Sequence, residues 1–548
     1  MLAPSAECVS IYSYKETWFI VGIIALAGFA SPFPATIYFP AIPRLTQIFH
    51  ESTDRLNLTL TIFLAPQAAC PMLWGPFSDR YGRRPCIVLC FVILILSCIG
   101  LALTPTNAFW LLLLLRCIQS AGCTGTLALG AGAIADITTR ANRGTFFGAF
   151  NAGPMLAPGI GPVIGGLLSQ YLGWRAIFWF LTIFSSVSLL IILAFLPETL
   201  PCIVGNGSIR PSFIFRALIP VVGKDRIAEN PQLVYKPPPK PFRNPFLLFL
   251  NPDVLVATLF TSVIFSMQYS ISGTLSNAYT SQYPFLNSAN IGLCYLPNGL
   301  GLTGGTIING KLLDAEYRRS RARAIREAAE KGISEEDAVS QANFPIERAR
   351  LQMTPFMVLL FSGCVFGWGW CVDRSVSLAG PLLLQIALGF SSICVLNATT
   401  TLMIDLFPDQ SSVVTACTNF FRSAFAAILV ALQEKAIKKL GYGLTFVIFG
   451  CICASMVPLV LLELKIGPTF RSRRVSQWLA NPDAPPEEMP VISTFYAAHI
   501  ISESIREKMR EVGTVADVPI EPEGQTRLLD TCISQAGVIG GGVPGVLN

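Results

Sequence analysis

Charge is scarce in this chain: only 13% of its 548 residues are Asp, Glu, Lys or Arg, against about a quarter in an ordinary soluble domain. That deficit excludes a water-facing globule, because so apolar a surface has to meet lipid. Histidine is nearly missing. His50 and His499 both lie outside the apolar runs, which argues against a histidine metal site and against a buried histidine proton relay. Cysteine is present, 16 times, but without the paired spacing of a disulfide framework or a zinc site. Cys70, Cys90, Cys98, Cys117, Cys123, Cys394, Cys417 and Cys451 sit inside apolar runs and read as small hydrophobes. No nucleophile–base pair, metal cluster or phosphate loop appears. The expectation is therefore a non-enzyme with no cofactor, no metal and no nucleic-acid partner.

What is there is hydrophobic: 52% of the residues, with a mean hydropathy of +0.56. About 20 predominantly apolar residues cross the hydrocarbon core as a helix. Such stretches fall at 17–40, 56–78, 85–104, 108–130, 144–168 and 176–196. The third and fourth are parted by Thr104-Pro105-Thr106-Asn107. No charge occurs from Val254 to Gly310, a stretch that divides at the polar segment 276–290 into spans 7 and 8. Four more runs, 353–372, 381–404, 411–432 and 443–462, complete twelve. The first has neither a basic lead nor a cleavage site, and reads as a retained span. The expected fold is all-α and polytopic, with twelve transmembrane helices in two pseudo-symmetric six-helix bundles.

Basic residues collect on one side of this arrangement: Arg80, Arg83, Arg84, Arg140 and Arg143, the loop 197–252 and the segment 311–350. The positive-inside rule then puts both termini in the cytoplasm. The expected organisation is an N-terminal segment 1–16, a first bundle 17–196, a central cytoplasmic loop 197–252, a second bundle 253–463 with a cytoplasmic helical insertion 314–352, and a cytoplasmic tail 464–548. Within these, 316–350 is rich in Ala, Glu and Arg and predicts a helix. Residues 495–512 predict an amphipathic helix, while 537–548 is too rich in glycine to order alone.

The two halves repeat a signature. After span 2 comes Gly75-x-x-x-Asp79-Arg80-Tyr-Gly82-Arg83-Arg84, and after span 8 comes Gly310-x-x-x-Asp314-x-x-x-Arg318-Arg319. Arg116 precedes Asp136 by 20 positions, and Gln385 precedes Asp405 by 20. The first segment resembles the loop 2–3 signature of the major facilitator superfamily. Arg116-Cys-Ile-Gln119-Ser-Ala-Gly122 with Asp136 is similar to the span 4 motif of twelve-span drug:proton antiporters. Pro158-x-x-Gly161-Pro162-x-x-Gly165-Gly166 is similar to their span 5 motif, with Ala157 where an upstream glycine is usual. Leu196-Pro-Glu198-Thr199, Gly205-Asn-Gly207 and the run from Phe344 to Arg350 resemble the fungal branch that holds multidrug, dityrosine and citrate exporters. The resemblance covers about residues 17–470. It implies a secondary transporter with its solute site between the halves, a latch around Asp79 and Arg83 that opens when the carrier turns inward, and a span 5 that favours export.

Physical reasoning adds residues. Asp79 can cap a neighbouring helix and pair with Arg83, while Gly75 and Gly82 allow backbones to approach. Asp136, Gly310, Asp314 and Arg318 extend this reading to the ends of spans 4 and 8. Arg116 in span 4 and Arg422 in span 11 are expensive in a membrane and are expected to face a cavity. No Asp or Glu stands near the middle of any span, so that cavity is expected to be net positive. Gln67, Gln119, Asn151, Gln268, Asn397 and Asn419 are candidates for contacts to solute or for bonds between helices. Three readings stay open: export of a small organic anion, proton-coupled multidrug efflux, and a transport-inactive nutrient sensor, against which the intact Asp79 and Arg83 argue. A plasma-membrane monomer in a lipid bilayer is the expected setting, with protons as coupling ion in the antiport reading and the membrane potential as driving force in the anion reading. In the citrate-exporting relatives a span 5 arginine is expected where this chain has Pro154, which counts against a tricarboxylate.

Overall fold

The computed structural model describes residues 10–138, 142–209, 211–223, 251–330, 344–406 and 411–479. Among them every regular element is a helix. Ten helical stretches are long and apolar enough to cross a bilayer. One of these, Val414–Arg473, is 60 residues long and holds two spans. Within Ser411–Ala454 the chain turns at Gly441, whose φ of 76° and ψ of 174° no helix contains. A twelfth span is supplied by Leu296–Glu330, where glycines and a charged second half dilute the apolar character.

Spans 2 to 6 are Thr53–Tyr81, Arg83–Leu103, Phe109–Ile137, Arg143–Tyr171 and Arg175–Phe195. Span 7 is Pro252–Gln282, span 8 Leu296–Glu330, span 9 Thr354–Asp373 and span 10 Ala379–Leu406. Span 11 precedes Gly441. Span 12 follows it and continues through Val457–Leu479.

Span 1 begins under a capping box, Ser13 with Glu16, and its regular part ends at Phe29. It goes on as the short helices Phe33–Thr36, Phe39–Ala41 and Ile42–Phe49, each with a proline in its first turn. A proline tolerates that position because it has no N–H to bond there. The sequence predicted one run over 17–40; the prolines break it and carry it further.

Two other expectations are corrected. Span 7 does not end at the polar residues after Ser276. The Thr280 and Ser281 hydroxyls donate back to the carbonyls of Ser276 and Ala278, so these side chains satisfy themselves and the helix continues to Gln282. The insertion 316–350 does not start as a helix separate from span 8: span 8 itself runs to Glu330, Ile346–Leu351 is a further helix, and 331–343 lie outside the described residues. The predicted features at 495–512 and 537–548 lie outside the described residues, as do residues 210 and 224–250 of the loop 197–252 and Arg140.

Spans 1, 4 and 5, and spans 2, 3, 4 and 6, pack among themselves in the first half; in the second, spans 7, 9 and 10 pack among themselves and on Ser411–Ala454, with span 9 against span 12 where Gly369 meets Phe446 and Gly450 meets Phe366. The halves meet where span 2 packs on span 11 and span 5 packs on the short helix Ser288–Leu293 before span 8. Glycines make this seam. A Cβ on Gly166 would come within 3.0 Å of the Gly292 Cα, and one on Gly159 within 3.1 Å of the Gly299 Cα. Small residues of this kind let two helix backbones touch.

Eleven residues further along the same face, three turns or about 16 Å away, a Cβ on Gly148 of span 5 or Gly310 of span 8 would stand in open space, with no neighbouring element within 4 Å. Asn151, one turn from Gly148, is exposed. The seam is therefore closed at the loop 1–2 end and open at the loop 2–3 end. Polar contacts at the closed end join Asn57 Nδ2 to Glu434 Oε2 at 3.3 Å, Lys438 Nζ to Asp54 Oδ2 at 2.5 Å, and the Ser288 N–H to Gln170 Oε1 at 3.2 Å. An exposed ion pair such as Lys438–Asp54 contributes about 0–1 kcal/mol, so the closure rests on packing, of span 2 on span 11 and of the glycines of span 5 on Gly292 and Gly299.

Candidate substrate cavity

Arg116 is fully buried in span 4. Its guanidinium lies between two rings, 4.3 Å from the centre of Tyr38 and 4.5 Å from that of Phe63. Nη1 donates to the Pro34 carbonyl at 3.1 Å and to Gln119 Oε1 at 2.7 Å. The broken end of span 1 supplies both Pro34 and Tyr38, so the prolines that interrupt that helix also build the pocket. Nε and Nη2 make no hydrogen bond among the described residues. Two cation–π contacts contribute about 1–4 kcal/mol together, whereas removing a cation from water costs several kcal/mol. The arginine is left with charge and donors to spare.

The second half reaches this place through span 7. Tyr269 lies close enough to Arg116 to interact with it electrostatically, stacks edge-on against Phe39 at 5.7 Å, and has an unbonded hydroxyl. One turn away, the Phe265 ring centre lies 6.1 Å from that of Tyr269 and 5.4 Å from the Arg422 guanidinium. Arg422 donates to Asn419 Oδ1, and its Nε is unbonded. Two guanidiniums, one from each half, thus flank an aromatic pair, and no described carboxylate pairs with either. Gln385, which the repeat pairs with Arg116, donates to the Tyr279 hydroxyl at 2.7 Å. A tyrosine stands beside the residue in both halves, the Tyr38 ring of span 1 under Arg116 and the Tyr279 hydroxyl of span 7 on Gln385.

The loop 2–3 end carries a second cluster. Arg83 binds Asp79 at 2.6 Å and Asp136 at 3.0 Å. Glu198 accepts the backbone N–H groups of Arg83, Arg84, Thr199 and Leu200 at 2.9–3.2 Å, which caps the start of span 3. Burial pushes the Glu198 carboxyl above its ordinary value, and the four N–H donors only partly offset that. Gly82 at φ 104° adopts the left-handed conformation, and a Cβ there would meet Glu198 Oε2 at 2.6 Å; only glycine fits. In the second half Arg350 Nε donates to Asp405 Oδ2 at 2.8 Å, with its guanidinium 4.6 Å over the Tyr317 ring.

The sequence profile of the Major Facilitator Superfamily matches residues 24–429. The chain belongs to this superfamily. Citrate exporter 1 of Aspergillus niger is 33% identical over 468 residues, covering 85% of this chain and 88% of the exporter. Multidrug transporter AQR1 of Candida glabrata is 30% identical over 477 residues, covering 86% and 79%. A crystal structure of the human organic anion transporter MFSD10 shares the fold, with a TM-score of 0.50 at 17% identity over 81% of this chain and 99% of that one. As a superfamily member the protein is a multi-pass, non-enzymatic secondary transporter of small organic solutes.

Against this superfamily layout the predicted site residues divide. Arg116 with Gln119 and Arg422 with Asn419 come together around Phe265 and Tyr269. Gln67, one turn from Phe63, is half-buried with an unbonded Oε1. Gln268 instead bonds Asn298 of span 8 at 2.8 Å and joins two helices. Asn397 is half-buried and its side chain makes no hydrogen bond among the described residues.

In span 5, Gly161 and Gly165 face span 1 at Thr36 and Ile37, while Gly166 faces Gly292. Pro158 and Pro162 lie within the helix. In the loop 2–3 motif Asp79, Arg83 and Asp136 form one cluster, Arg84 holds the carbonyls of Ile214 and Leu193, and Arg80 is exposed. Gly75 has nothing within 4 Å, so it allows no close approach, contrary to expectation. Arg318 is exposed too; Arg350 takes the place opposite Asp405. The Asp314 side chain lies outside what the structure describes. Sequence reasoning missed Tyr38, Phe63 and the closed-end contact of Asn57 with Glu434, and Phe265 and Tyr269 were not among its candidates.

Proposed function

We propose that this transporter exports a small organic anion, such as a carboxylate metabolite, from the cytoplasm. The reading rests on Arg116, a buried guanidinium with two unbonded donors and no carboxylate to neutralise it. Arg422 across the aromatic pair adds a second positive group. Guanidinium is the side chain best suited to bind a carboxylate through paired donors. An inside-negative membrane potential drives each anionic charge outward by about 2.3 kcal/mol per 100 mV, so such export needs no further energy source. The proposed setting is a plasma-membrane monomer with both termini cytoplasmic. The seam opens toward the cytoplasm, the side from which an exporter loads. Asp79, Arg83 and Asp136 serve as the proposed latch of the first half, and Arg350 with Asp405 as that of the second.

Proton-coupled multidrug efflux is the second reading, favoured by the four rings around the site and by the multidrug transporter among the relatives. One experiment separates the two. In vesicles containing the purified protein, efflux of a labelled carboxylate is measured with the potential clamped at zero and then with the pH gradient collapsed. Anion export slows under the clamp. Insensitivity to voltage with strict dependence on the pH gradient rejects it in favour of proton antiport.

A further inference from the structure

The segment 211–221 follows span 6 on the loop 2–3 side, and its large apolar side chains face away from the protein. Phe213 is 81% exposed, Ile214 67%, Leu218 63%, Val221 55% and Ile219 51%. The segment is nevertheless fixed. The Leu218 and Ile219 N–H groups donate to the Leu193 and Ala194 carbonyls at 3.1 and 2.8 Å. Arg84 holds the Ile214 carbonyl, and the Phe215 ring closes on Gly82.

Its point of attachment is informative. The exposed stripe of span 6 runs through Ile183, Val187 and Leu190, at the spacing of one helix face. The next position on that stripe is Ala194, which receives Ile219. The exposed segment therefore continues the lipid-facing surface of a membrane span.

We propose that residues 211–221 form a strap lying in the interface of the phospholipid bilayer, with Phe213, Ile214 and Leu218 inserted at the boundary between headgroups and acyl chains. The occupant is lipid because the patch has no break from a surface that lipid already covers. Irregular backbone is excluded from the hydrocarbon itself, which sets the depth at the headgroup level, where aromatic and aliphatic anchors belong. The strap ties the start of span 3, through Gly82 and Arg84, to the membrane surface.

The test uses the full-length protein in phosphatidylcholine vesicles whose lipid carries a radiolabelled acyl chain. Phe213→benzoylphenylalanine, Ile214→benzoylphenylalanine and Leu218→benzoylphenylalanine are illuminated beside Leu190→benzoylphenylalanine in span 6. The expected result is lipid adduct at all three strap positions with at least one third of the yield at position 190. A lower yield at all three, or cross-linking to another protein chain, overturns the proposal. Should one of the variants fail to fold, Ile219 and Val221 carry the same test. As an independent readout, trypsin should cut after Arg216 at least tenfold faster in the double variant Phe213→Glu, Leu218→Glu than in the vesicle-bound parent; equally rapid cleavage of the parent overturns it as well.

Discussion

Arg350 bonds Asp405 at 2.8 Å in the second half, where Arg83 bonds Asp136 at 3.0 Å in the first. Each pair ties the end of a span to the chain that opens a neighbour, span 10 to the short helix Ile346–Leu351 before span 9 and span 4 to the start of span 3. Both arginines are largely buried. Removing one partner of such a pair leaves an uncompensated charge and costs about 3–5 kcal/mol. Arg350→Ala should therefore lower the melting temperature of the detergent-solubilised protein far more than Arg318→Ala. Equal losses would return Arg318 to the role that the sequence repeat assigned to it.

Arg116→Lys keeps the charge but loses the planar fork between Tyr38 and Phe63. An ammonium cannot fill that slot or offer two parallel donors. Efflux of a carboxylate should fall by at least roughly tenfold, about 1.4 kcal/mol of transition-state stabilisation, with the protein still delivered to the membrane. Parental flux would remove Arg116 from the mechanism.

Arg422 is half-buried and held by one described hydrogen bond, so its loss should act on binding more than on folding. Arg422→Ala should raise the KM for an anionic solute by roughly 10- to 100-fold, the worth of a charge-assisted hydrogen bond of about 1.5–3 kcal/mol, and should leave the KM of a neutral amphiphile nearly unchanged. Parallel transport assays with the two solutes measure this. An equal effect on both would make Arg422 a packing residue.

Gly299→Leu places a side chain where Gly159 touches span 8. Overpacking of this kind costs about 1–3 kcal/mol and acts only on the state in which the seam is closed at the loop 1–2 end. Thiol labelling of Asn57→Cys from that side should rise in the variant as the population shifts toward opening there. Unchanged labelling would mean that the glycines do not set the equilibrium.

Glu198 yields a pH dependence. Burial holds its carboxyl above the ordinary value, so the folded chain binds that proton more tightly than the unfolded chain. Its contribution to stability is full below the unfolded value of about 4.3, falls as pH rises through the window up to the raised folded value, and is constant above it. The stability difference between the parent and Glu198→Gln should follow that course in a thermal scan across pH. A difference that instead grows with rising pH would mean that the four N–H donors outweigh burial.

The twelve spans were legible because charge is so scarce: where Asp, Glu, Lys and Arg stop, helices cross. Boundaries were less legible wherever local chemistry competes. The hydroxyls after Ser276 look like a loop in sequence, yet they bond to their own helix. The prolines of span 1 break one helix into several, and only the fold reveals that the break delivers Pro34 and Tyr38 to Arg116. Arg116 and Arg422 stood out as lone charges in apolar runs. Tyr38, Phe63, Phe265 and Tyr269 did not, since an aromatic residue in a membrane span usually packs. Arg350 was hidden by the long segment between it and Asp314, across which a fixed spacing cannot be carried.

The contact of Gly159 with Gly299 leaves almost no lever arm between spans 5 and 8 at the closed end, so it acts as a fulcrum. Gly310 lies eleven residues away, about 16 Å at the rise of a helix. A rotation of about 15°, the size of a large subunit rotation, would swing it by roughly 4 Å while the pivot barely moves. The glycines thus let the far ends of spans 5 and 8 part while their near ends stay in contact.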